Sequence, residues 1–128
     1  MSSIFEDKIP PSLQQEIKEK WLKILTFVEE NFQKKPDLNA ILFLIGIREL
    51  GVLPDKNFTK EEKVHLMHIA NCKVLSYSGY YKQLGFNQKG WPVWENTKAL
   101  PNLAYLEQEN LLRQHIIEYF EAEEILTF

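Results

Sequence analysis

Ala40-Ile-Leu-Phe-Leu-Ile-Gly-Ile47 is an unbroken apolar run, and its reading decides the fold. Wound as a helix it is hydrophobic on every side, so it must be surrounded by other elements. It is too short to cross a bilayer. Asp37 is placed to cap it, Arg48-Glu49 closes it and Gly51 follows as a left-handed stop, which predicts a central buried helix from Leu38 to Leu50. Gly46 costs stability within a helix, and the usual compensation is the close approach of a neighbouring helix.

On the N-terminal side, Ser12-Leu-Gln-Gln15 behind Pro10-Pro11 has the pattern of a capping box. Apolar residues then fall at Leu13, Ile17, Trp21, Ile24, Val28 and Phe32, the spacing of an amphipathic helix that stops before Pro36. On the C-terminal side, Val52 to Phe58 reads as a turn-rich connector. Thr59-Lys-Glu-Glu62 is a second capping box, opening a helix that runs to about Tyr77 or Ser78 and is closed by Gly79. The helical wheel gathers Val64, Met67, Val74 and Leu75 on one face, extended by Leu66, Ala70 and Tyr77. It turns Glu61, His65, Cys72 and Lys73 the other way and leaves His68 on the border.

Between Gly79 and Leu100 the helical period fails. Tyr80 to Phe86 and Trp91 to Trp94 flank Asn87-Gln-Lys-Gly90, the composition of a hairpin turn, so a short aromatic-rich hairpin or ordered loop is expected. A last helix follows from about Pro101 to Phe120, with Tyr105, Leu106, Leu112, Ile116, Ile117 and Phe120 as its buried stripe and Glu109 and Arg113 spaced for an ion pair. The tail from Glu121 extends that helix or frays. These elements predict an all-α fold: a bundle of about four helices, with the insert before the last, forming a single helical domain over residues 1–128.

Composition sets the outer limits. The 128 residues are 45% hydrophobic and 26% charged, the profile of a folded chain of single-domain size. Net charge is −3, with 15 basic residues scattered among 18 acidic ones, so there is no electrostatic footprint for nucleic acid. The single cysteine, Cys72, excludes an internal disulfide and suits a reducing compartment. Met1-Ser-Ser-Ile-Phe-Glu-Asp7 lacks an export signal and no segment has the length of a membrane span, so a cytoplasmic, membrane-free protein is expected.

Two groupings carry candidate chemistry. Glu61, His65, His68 and Cys72 recur at intervals of a helical turn or its multiples and present ligand types that zinc or iron accept. Glu62 with His65 gives the ExxH spacing of di-iron bundles, but a second copy is missing, since Leu112 precedes His115 at three residues. A half-exposed helix edge explains the same residues without a metal. His68 and Cys72 lie one turn apart, yet mid-helix cysteines more often serve as small buried hydrophobes than as nucleophiles. The second grouping is the insert, where Tyr80, Tyr81, Phe86, Trp91 and Trp94 are candidates for ligand or partner binding. The competing explanation is that these rings anchor a non-helical segment to the core.

The segments Lys35-Pro-Asp-Leu-Asn39, Gly46-Ile-Arg-Glu-Leu-Gly51, His65-Leu-Met-His-Ile-Ala70, Gly79-Tyr-Tyr81 and Gly90-Trp-Pro92 resemble a small bacterial family of uncharacterised proteins with no assigned activity. The resemblance spans roughly Lys35 to Phe120. It implies a bacterial cytoplasmic protein and transfers no catalytic residue. With no catalytic signature and no implied cofactor, the sequence leans away from an enzyme and toward a protein-interaction or regulatory module, expected as a homodimer. The alternative is a metal-dependent or small-molecule-binding enzyme that uses the His65/His68 helix face.

Overall fold

Asp37 accepts a hydrogen bond from the Ala40 amide at 2.7 Å, and Gly51 adopts φ 80° to close the last turn on the Ile47 carbonyl. Between these caps runs the expected buried helix. The computed structural model describes residues 11–33, 35–51 and 57–128, and among them the order is α1 (Pro11–Phe32), α2 (Leu38–Leu50), α3 (Lys60–Ser76), β1 (Tyr81–Phe86), β2 (Pro92–Asn96) and α4 (Tyr105–Ala122). The chain is therefore largely helical, but the all-α expectation is corrected by a two-stranded antiparallel sheet at the predicted hairpin. The N-terminal segment from Met1 and most of the connector, 52–56, lie outside the described residues.

The helices pack in two pairs, and the chain divides into two compact units: Met1–Lys35 with Pro101–Phe128, and Pro36–Leu100. In the first unit, α1 packs on α4. Phe27 meets Phe120 edge-to-face at 6.4 Å, the Arg113 guanidinium lies 5.7 Å from the Trp21 ring, and Lys20 bridges Glu16 and Glu121 at 3.1 and 3.5 Å. Glu109 and Arg113 form the expected pair at 3.8 Å.

Two expectations fail at element ends. Ser12 is no N-cap, because α1 already includes Pro11, whose fixed φ suits a first helical turn. Helix α4 starts at Tyr105, not Pro101, so Tyr105 and Leu106 stand in its first turn, 74% and 68% exposed, instead of in the core. Its buried side runs through Leu111, His115, Ile116, Ile117, Tyr119 and Phe120. His115 satisfies its burial locally, with Nδ1 2.7 Å from the Leu111 carbonyl oxygen.

In the second unit, α2 crosses α3 where Gly46 faces Leu66. A Cβ on residue 46 would lie 2.7 Å from the Leu66 carbonyl carbon, so the glycine is the close approach that the sequence called for. Ile41, Leu42, Ile45 and Ile47 are buried beside it. Thr59 and Glu62 complete their capping box at 3.1 and 2.9 Å, and both strands pack against α3. With α2 on one side and the hairpin on another, α3 has no single wet face. This corrects the wheel reading: Cys72 is fully buried and Val64 is exposed.

Candidate functional site

The hairpin is built by its turn. Gly90 takes φ 81° and donates to the Asn87 carbonyl at 3.0 Å, while the Asn87 side-chain oxygen accepts from the amides of Lys89 and Trp91 at 2.9 and 3.0 Å. This is the chemistry of a short loop closed by a left-handed glycine. It drives Trp91 into a core cluster with Ile47, Leu66 and Ile69, where it is 8% exposed.

His65, on α3, lays its imidazole over Trp91, with ring centroids 4.7 Å apart and planes inclined by 33°. Burial, and secondarily the neighbouring His68 charge, push the His65 pKa below its ordinary value, which favours the neutral ring. An open cleft of 470 Å³ lies beside this stack, between the first turns of α3 and the hairpin turn. Glu61, Glu62, Asn87, Gln88 and Lys89 form its polar wall, and His65 and Trp91 its flat aromatic wall. Such a cleft has the size range of small-molecule sites.

The four ligand-type residues of α3 do not converge. Glu61 and His65 line the cleft, His68 is exposed, and Cys72 is buried. Among the described residues no three His, Cys, Asp or Glu side chains come together to hold a metal ion. The Cys72 sulfur does lie 3.5 Å from His68 Nε2, but burial pushes the thiol up to about 11, the opposite of what a nucleophile needs.

The aromatic candidates separate into two groups. Trp91 anchors the hairpin, and Trp94 and Tyr81 are half-buried. Burial raises the Tyr81 hydroxyl pKa, with Cys72 adding to the effect. Among the described residues, the buried Trp94 indole nitrogen has no hydrogen-bond acceptor and the buried Asn71 side-chain oxygen has no donor. Tyr80 is covered by the Lys98 ammonium, 4.3 Å from its ring centre. Of these five, Phe86 stands out into solvent, 69% exposed; Leu84, at 58%, and Val93 are also exposed on the hairpin. No protein family, curated protein or solved structure matches the chain.

Leu84 and Val93 lie outside the aromatic candidates of the sequence. Their signal was alternation: Pro92 and Trp94 turn inward, so Val93 and Glu95 turn outward. In β1 a bulge between Gln83 and Gly85 carries Leu84 out as well.

Proposed function

We propose that the protein is a small cytoplasmic interaction module, bacterial as the resembling segments imply, and that the outer side of its hairpin makes the contact. One observation carries the reading: a hairpin pinned to α3 by Trp91 leaves Leu84 and Val93 facing water on its outer side. A two-stranded hairpin is marginal by itself, so its anchoring holds these side chains in place before any partner arrives and reduces the ordering cost of binding. The net charge of −3 favours a protein partner over nucleic acid. The test places a photo-reactive amino acid at Val93, on the outer side, in living cells. Covalent protein adducts that disappear with Leu84→Asp are expected. An adduct pattern no different from that of a probe at exposed Lys18 would sink the reading.

The cleft favours a second reading, a small-molecule-binding site or enzyme on the His65 side of α3. Its mixture of carboxylates, Lys89 and flat rings suits a polar organic ligand better than a metal ion. Ligand screening by fluorescence, with Trp91→Phe as the control, tests it: a response that survives that substitution would remove the cleft from consideration.

A further inference from the structure

We infer that the occupant of the hairpin's outer side is a second copy of this chain, joined about a two-fold axis that runs along the strands. The inference rests on the interaction reading above and adds the partner and its register. Lys82 pairs across the ladder with Glu95, and Gly85 with Val93. Register partners share a face, and strand alternation turns Lys82, Val93 and Glu95 away from α3 while Pro92 is buried and Trp94 half-buried. The outward face thus holds a cation on β1 directly beside an anion on β2, next to the apolar Leu84 and Val93.

Opposite charges on register partners have a geometric consequence. Two such faces can stack about an axis midway between the strands and parallel to them. That operation carries every β1 residue over its β2 partner in the other molecule. Lys82 then lies over Glu95 of the second copy and Glu95 over its Lys82, while Gly85 comes over Val93 with the bulged Leu84 beside it. The face is complementary to itself in charge and in apolar surface, as a two-fold interface requires. Among the described residues, Lys82 and Glu95 have no ion pair within the chain, so both charges are available. The bulge at Gln83/Gly85 interrupts the β1 ladder and works against the rival geometry, in which strands add edge to edge. A hairpin face is small, so the dimer should come apart on dilution.

Sedimentation velocity over a concentration series of the full chain tests this. The expected result is a reversible shift from 15.1 kDa toward twice that mass. Lys82→Glu and Glu95→Lys each set like charges against each other twice and should weaken association by about tenfold, roughly 1.4 kcal/mol. The double swap should restore it, and an equimolar mixture of the two single variants should form a heterodimer. A wild-type chain that stays monomeric, or a dimer indifferent to both swaps, would overturn the inference. The two failures remain separable: if the Val93 probe captures a different protein while the chain is monomeric, the second-copy inference falls and the interaction reading stands. No adduct at all removes both.

Discussion

Gly46 shows how one missing side chain sets the distance between two helices. Alanine there has the better helix propensity by about 1 kcal/mol. Its methyl group would meet the Leu66 backbone, which cannot move aside without shifting α3. Overpacking of this kind costs about 1–3 kcal/mol, so Gly46→Ala is expected to destabilise despite the propensity gain, measured as a lower urea midpoint. His65 works through charge. Its pKa is lowered in the folded state, so the unfolded chain binds the proton more tightly. The resulting contribution is full above the ordinary histidine value of about 6.5 and is lost as pH falls below it. Glu61, Glu62 and His68 on its own helix and Lys89 on the hairpin are the charged groups around it. Thermal midpoints from pH 8 to pH 5 should fall more steeply for the wild type than for His65→Phe, which keeps a ring over Trp91 without a titrating nitrogen. Parallel curves would show that His65 does not couple to folding.

At the scale of the element, the hairpin depends on a turn that its own side chains close. Asn87 supplies one oxygen to two amides, and Gly90 supplies the left-handed residue that follows. Asn87→Ala removes both acceptor bonds and should cost about 1 kcal/mol, read from denaturant unfolding. Because Trp91 is seated by the same turn, its emission should shift to longer wavelength as the ring gains water. Unchanged stability and emission would mean that the strand ladder holds the turn by itself. Helix α3 illustrates a different dependence. It carries a complete capping box, so its start is locally encoded, yet which of its sides are dry depends on α2 and the hairpin together.

Across the whole molecule, burial is uneven, and local stability should follow it. The middle of α2, Ile41 to Ile47, and the stretch of α3 from Leu66 to Leu75 hold most of the fully covered aliphatic side chains of their unit. The first turns of α1 from Ser12 to Glu16 are exposed. Native-state hydrogen exchange should therefore find the slowest amides in those two helices and fast exchange at the start of α1, since regions with few buried contacts open at little cost. Uniform protection along α1 would contradict this. Among the described residues, no helix is long and apolar enough to cross a membrane, in line with the length argument made for α2.

The sequence by itself determined the elements whose signals are local. An all-round apolar run, an aspartate and a glycine at its ends, a Thr59/Glu62 box and an Asn87–Gly90 turn each act within a few residues, so their chemistry is visible in order along the chain. Even the close contact at Gly46 was legible, because an uncompensated mid-helix glycine implies a neighbour. Tertiary structure alone decided which side chains face water. The hairpin covers Cys72's side of α3, the late start of α4 exposes Tyr105 and Leu106, and the bulge turns Leu84 outward. Burial depends on what folds over a residue from elsewhere in the chain. A helical wheel records only direction, and direction becomes dry or wet when a second element arrives.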